Sequence, residues 1–146
     1  MLNINIYTPE LLPSEEVKVK VVDFLFDQLE EYGDPKEDIR KAMNYSLGYD
    51  SKPGGYVIVG EVEGEIIGVV IINITGMEDY IPENILVYIA THRDARGKGY
   101  GKSLMKAAID QTHGSVALHV EPNNPAKSLY EKLGFTNKYL EMRLKK

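Results

Sequence analysis

Hydrophobic positions along this chain change period several times, and each change marks an element. Asn3 to Tyr7 alternates polar and apolar residues, as a half-buried strand does. The spacing then lengthens: Val17, Val21, Phe24, Leu25 and Leu29 fall on one face of a helix. Pro13-Ser14-Glu15-Glu16 opens that helix, with Ser14 as N-cap and acids in the first turn, and Gly33 closes it. Asp34-Pro35-Lys36-Glu37 predicts a second helix, with Asp34 as N-cap, Pro35 at the first helical position and Glu37 at the third. Ile39, Met43 and Leu47 form its stripe, and Gly48 stands where a C-cap glycine belongs.

A loop at 50–55 separates this helical part from a strand-rich one. Tyr56 to Val62 and Ile66 to Thr75 read as two strands joined by the tight hairpin Glu63-Gly64-Glu65. Gly76 to Asn84 is a loop, and Ile85 to Thr91 is a fourth strand. A helix follows to about Thr112, then a strand from Ser115 to Glu121. Asn124 to Leu133 predicts a short helix, and Tyr139 to Leu144 alternates as a last strand. The order β-α-α-β-β-β-α-β-α-β predicts one α+β domain over residues 1–146, with a mixed central sheet and about four helices.

Between the fourth strand and its helix lies Arg96-Gly97-Lys98-Gly99-Tyr100-Gly101. Glycines at alternating positions weaken any regular element, because each loses more backbone entropy on folding. They make sense where the backbone approaches a ligand at a helix N-terminus, whose dipole favours negative charge. Three phosphate-binding patterns compete here. A P-loop needs G-x-x-x-x-G-K-[ST]; Gly101-Lys102-Ser103 supplies its second half, but position 96 is Arg. A dinucleotide fingerprint needs G-x-G-x-x-G, and here the last glycine comes one residue early. The pattern R-x-x-G-x-G is met without adjustment by Arg96, Gly99 and Gly101.

A second block, Asn123-Asn124-Pro125-Ala126-Lys127-Ser128-Leu129-Tyr130-Glu131-Lys132-Leu133-Gly134-Phe135, follows one strand later. Together the two blocks resemble the Gcn5-related N-acetyltransferases, whose signatures are R-x-x-G-x-G and N-x-x-A-x-x-L-Y-x-x-L-G-F. The likeness covers residue 56 onward; the first fifty-odd residues match in element order only. It implies a mixed, mostly antiparallel sheet and acetyl-CoA as cosubstrate. The resemblance assigns Gly97, Lys98, Gly99, Tyr100, Gly101 and Lys102, with Arg96, to the pyrophosphate. It assigns Ile89, Ala90 and Thr91 to the pantetheine arm, with the backbone of Ile89 and Thr91 making the hydrogen bonds. Asn123 and Ala126 complete the donor site. Tyr130 matches the family's general acid; a phenol near ~10 can protonate a thiolate whose acid is near ~8.5.

The resemblance also exposes a gap. Relatives with a base on the fourth strand carry Glu or His where this chain has Ile85 or Val87. Neither accepts a proton, so Glu83 is the candidate base, with Glu78, Asp79, Tyr80 or a water chain as alternatives. Glu31, Tyr32 and Tyr80 are candidates to line the acceptor site.

Composition narrows the partners. A net charge of -5 argues against nucleic acid and tolerates a cationic acceptor. With no Cys, disulfides and thiol catalysis are excluded, and His92, His113 and His119 lack ligand spacing, so no metal is expected. No apolar run reaches the roughly 20 residues of a membrane span, and no signal peptide is evident, so a cytoplasmic monomer or homodimer is expected. The expected activity is acetyl transfer from acetyl-CoA to a small-molecule or peptide amine. The rival is a non-catalytic coenzyme A-binding sensor or partner module.

Overall fold

The computed structural model describes all 146 residues and contains one five-stranded sheet in the order β1-β2-β3-β4-β5. The strands are β1 (Asn3–Tyr7), β2 (Gly55–Val62), β3 (Glu65–Ile74), β4 (Asn84–Thr91) and β5 (Val116–Leu118). β1 to β4 pair antiparallel, and β5 runs parallel to β4. A parallel step needs a crossover, which helix α3 (Tyr100–Gln111) provides. Helices α1 (Glu15–Leu29) and α2 (Lys36–Ser46) pack on one face of the sheet; α3 and the short α4 (Lys127–Lys132) pack on the other. The α+β class, the mixed sheet and the four helices agree with the sequence reading. No helix is long and apolar enough to cross a membrane.

The apolar run in β3 explains the layering. Val69 and Ile71 point into the core under α1 and α2, whereas Val70 and Ile72 point into the core under α3 and α4. A strand covered on both faces needs this continuous apolar pattern. Leu25 and Ile39 fill the first core, and Leu104 and Met105 fill the second, all fully buried. Each such side chain contributes roughly 1.5–3 kcal/mol. The sheet approaches α3 closely at Gly68, where an added Cβ would lie 2.2 Å from the Leu104 side chain.

Several boundaries differ from the sequence reading. α1 ends at Leu29, because Glu30 takes φ 54° and a 3₁₀ turn follows at Glu30–Tyr32; Gly33 is not the stop. Ser14 caps α1 as expected, accepting from the Val17 amide. Asp34 does not cap α2: that helix starts at Lys36 with no side-chain cap, and the Asp34 carboxylate is engaged elsewhere. β5 has three residues rather than the span from 115 to 121. α4 begins at Lys127, after a turn in which the Asn124 side chain accepts from the Ala126 amide at 2.9 Å.

The expected last strand at 139–144 does not form. Tyr139, Leu140, Met142 and Leu144 are 78 to 89% exposed. Alternation stabilises a strand only where a neighbouring strand and a covered face receive it. β5, three residues long, presents too short an edge to recruit another strand.

Candidate active site

The site begins with an irregularity in β4. Ile71 of β3 faces Tyr88, but Ile72 faces Leu86, so Val87 is an extra residue, a β-bulge. A bulge bends its strand and increases local twist. The β4–β5 pairing ends at the same point, with Leu86 opposite Leu118. Beyond it, Tyr88 to Thr91 pair with β3 alone, and β5 has ended. The result is a gap bordered by a free β4 edge.

The register decides which backbone groups face that gap. The His92 amide donates to the Ile67 carbonyl at 2.7 Å. Antiparallel pairing alternates, so residues 90 and 92 turn their peptide groups toward β3, and residues 89 and 91 turn theirs to the open edge. Ile89 and Thr91 therefore present free backbone groups, as expected for a peptide-like arm. Ala90 does not; it is buried at 7% exposure in the core under α1 and α2.

β4 leads through a 3₁₀ turn at Arg93–Ala95 into the glycine-rich loop. Gly97 and Gly99 adopt φ 84° and φ 80°, conformations that L-residues rarely take, and no atom lies within 4 Å of a Cβ added to either. None of the backbone N–H groups from Arg96 through Lys102 donates to any protein acceptor; the first helical bond runs from the Ser103 amide to the Gly99 carbonyl at 3.1 Å. These donors sit at the positive end of the α3 dipole, an arrangement suited to an anion. Lys98 and Lys102 are exposed on the same segment and have no carboxylate partner.

The Arg96 side chain, expected with the cradle at the pyrophosphate, rests against α1 in this structure. Its guanidinium donates to the Gln28 carbonyl at 3.2 Å and lies 3.9 Å from Glu30. It thus holds the loop against the C-terminal end of α1, where carbonyls lack helical partners. Arg93 does the same through the Asp27 carbonyl at 2.9 Å.

Tyr130 extends from α4 into the core beneath α3, 7% exposed, with its ring edge-on to Phe135 at 6.0 Å between centroids. Its hydroxyl has no protein partner and is not sealed from solvent. Burial pushes its pKa up to about 12, so the phenol remains a donor throughout the neutral range. Asn123 lies in the turn between β5 and α4, and its carbonyl accepts from the Tyr32 hydroxyl at 3.4 Å. That bond brings a residue expected at the acceptor site to one expected at the donor site. The segment from Glu30 to Asp34 thereby touches both sides of the gap. Glu31, in the middle of this segment, is exposed and has no ion-pair partner. In the second block the side chain that braces the turn before α4 is Asn124, which the sequence reading did not single out.

Two candidates lie elsewhere. The Glu83 carboxylate accepts from the Ser115 amide at 2.7 Å and from the Asp79 amide at 2.8 Å. These backbone donors hold its pKa below the usual carboxylate value, which weakens it as a base. It precedes the first residue of β4, whereas the loop follows the last, about 23 Å away along the strand. Glu83 is a clip on its loop, not a base in the gap. Tyr80 is 82% exposed and shares with Glu83, Met77 and His113 the rim of a cavity of about 640 Å³ at that far end. None of the residues of the glycine-rich loop or of the β4 edge at 89–91 lines that cavity. No three His, Asp or Glu side chains converge as metal ligands do.

One pair escaped the sequence reading. Tyr88, the first residue after the bulge, is 9% exposed and donates its hydroxyl to Asp34 at 2.5 Å. Burial and the Asp34 charge raise its pKa far above the ordinary tyrosine value. No local signal marks a contact between residues 54 positions apart.

A free strand edge beside a bulge and a run of orphan amides at a helix start make a site suited to an anion that carries an extended, peptide-like arm. Residues 53–137 match the family described as "Acetyltransferase (GNAT) domain". The protein belongs to the GNAT acetyltransferase family. A 5-NmdU N-acetyltransferase from Pseudomonas phage PaMx11 is 36% identical over 84 residues, 56% of this chain; the match spans 58% of that relative's length. Aminoglycoside N-acetyltransferase AAC(6')-Iy, solved with CoA, has the same fold, with a TM-score of 0.72, 17% identity, and coverage of 100% of this chain and 95% of its own. A GNAT-family acetyltransferase from Streptococcus pneumoniae TIGR4 gives 0.71 and 18%, covering 100% and 98%.

Proposed function

We propose that this protein is an acetyl-CoA-dependent N-acetyltransferase acting by direct attack of an amine on the thioester. The observation that carries this reading is the run of unpartnered amides from Arg96 to Lys102 beside the free edge of β4. A peptide-like arm can extend such an edge as an added strand. The amides from Arg96 to Lys102 would hold the pyrophosphate, and Lys98 and Lys102 would add charge. Ile89 and Thr91 would hydrogen-bond the arm through their backbones, and a free β4 amide would polarise the thioester carbonyl. Acetyl-CoA supplies an activated acetyl group.

Tyr130 would serve the departing sulfur. A phenol near 12 facing a thiol near ~8.5 makes outright proton transfer uphill by about 3.5 units, roughly 5 kcal/mol. Tyr130 therefore acts mainly as a hydrogen-bond donor to that sulfur, and solvent completes its protonation. Ile85 and Val87 offer no base on β4, and Glu83 is occupied, so the amine must lose its proton to water or to a group from the α1–α2 side.

Thiol release from acetyl-CoA, followed over a panel of amines, tests the reading. The panel includes aminoglycosides and 5-NmdU, taken from the names of the relatives, together with polyamines and peptide N-termini. At least one amine should be acetylated, and Tyr130→Phe should lower turnover tenfold or more. Acetyl-CoA binding without turnover on any amine would instead support the coenzyme A-binding module, a reading favoured only by Ile85 and Val87.

A further inference from the structure

Asp34 is in a position that local rules do not explain. It precedes Pro35 at a helix start, where an Asp side chain ordinarily caps the free amides and contributes about 1 kcal/mol. Here it makes no cap bond. Its Oδ2 instead accepts from Tyr88, and Oδ1 has no partner. No Lys, Arg or His lies within ion-pair distance of Asp34, and the two nearby arginines, Arg93 and Arg96, are turned to Glu30 and the end of α1. Tyr88 is nine-tenths buried in the core beneath α1 and α2, and its hydroxyl has this single bond. An apolar residue would fill that core without a polar atom to satisfy. The phenol therefore orients one carboxylate, and it does so from the first β4 residue beyond the bulge.

The two faces of the sheet divide the chemistry. Tyr130, α3 and the amide cradle belong to the α3/α4 side. Tyr88 and Asp34 belong to the α1/α2 side. An arm pairing with the β4 edge and reaching the cradle leaves the opposite face of its carbonyl for the nucleophile. We propose that Asp34, held by Tyr88, is the acceptor-recognising residue of this enzyme and that it binds the acceptor as an ammonium ion, which selects cationic, polyamine-like amines. This rests on the acetyltransferase reading for its purpose, but not for its measurement. The unneutralised Asp34 carboxylate attracts the cation, and Tyr88 donates to the carboxylate from below without competing as a charge. The nitrogen held by Asp34 stays charged, and a second nitrogen of the same polyamine, neutral after losing its proton to solvent, attacks the thioester.

The test is calorimetric titration of spermidine into the protein saturated with coenzyme A, for wild type, Asp34→Asn and Tyr88→Phe. Wild type should bind spermidine, and Asp34→Asn should bind it at least tenfold more weakly, with unchanged melting temperature and coenzyme A affinity. Raising salt from low to physiological strength should weaken spermidine binding by wild type but scarcely alter that of Asp34→Asn. Tyr88→Phe should fall between the two, because the carboxylate remains but loses its orientation. In turnover, Asp34→Asn should raise the KM for spermidine and leave that for acetyl-CoA unchanged. Equal binding by wild type and Asp34→Asn, or no spermidine binding by wild type, would overturn this proposal while leaving the donor site intact. Failure to bind coenzyme A would overturn the acetyltransferase reading itself.

Discussion

Replacing Gly99 by Ala separates the structural work of the cradle from its binding work. Gly99 has φ 80°, and no atom lies within 4 Å of the new methyl. The methyl thus meets no clash; its cost is conformational. An L-residue in this region costs roughly 1–2 kcal/mol. A less flexible unfolded chain returns about 0.4–1 kcal/mol. The net loss is about 1 kcal/mol, a fall of roughly 2–5 °C in melting temperature for a domain of this size. Gly76 is a matched control. It has φ 81° and only an ordinary 3.8 Å contact with Pro53, in the loop that precedes β4 at the other end of the sheet. Gly76→Ala should therefore show the same thermal loss. The two variants should part company in binding. The Gly99 methyl projects into the open space that a phosphate would fill, displacing at least one charge-assisted hydrogen bond worth roughly 1.5–3 kcal/mol. Acetyl-CoA affinity should fall about 10- to 100-fold in Gly99→Ala and stay at the wild-type value in Gly76→Ala. Calorimetry beside thermal melts measures both. Wild-type affinity in a Gly99→Ala protein that shares the thermal loss of Gly76→Ala would show that nothing occupies the cradle.

Two further substitutions test individual residues. The Tyr130 pKa near 12 exceeds the unfolded value near ~10, so the folded state holds its proton more tightly. The stabilisation is complete below about pH 10 and disappears as pH rises to about 12; two units correspond to roughly 2.7 kcal/mol. Tyr130→Phe should accordingly lose less stability than wild type between pH 10 and 12 in chemical denaturation, and an identical alkaline decline would contradict the buried phenol. Glu83→Gln should retain turnover within a few-fold, because the carboxylate serves the backbone of its own loop; loss of all activity in a folded variant would restore Glu83 as the base.

The glycine-rich cradle was legible in the sequence because it is local. A glycine-rich turn between an apolar strand and an amphipathic helix states its geometry in consecutive residues, and Gly97, Gly99 and the α3 start stand where the spacing put them. Contacts that join distant segments were not legible. Asp34 reads as a helix cap until Tyr88, 54 residues later, takes its carboxylate. Glu83 reads as a free acid until two backbone amides engage it. The bond from Arg96 to the Gln28 carbonyl of α1, 68 residues away, likewise leaves no local mark. The last strand failed for the same reason: alternation from Tyr139 to Leu144 is a local signal, and pairing is not. The β4 bulge at Val87 left no trace in an uninterrupted apolar run, yet it marks where β4 and β5 part.

The most direct test of the account is calorimetric titration of the folded protein with acetyl-CoA, beside coenzyme A, ATP and NAD. The amide cradle and the β4 edge together predict micromolar binding of acetyl-CoA and coenzyme A, with ATP and NAD far weaker because neither carries the arm. Binding of ATP as tight as that of acetyl-CoA, or no uptake of acetyl-CoA at all, would contradict it.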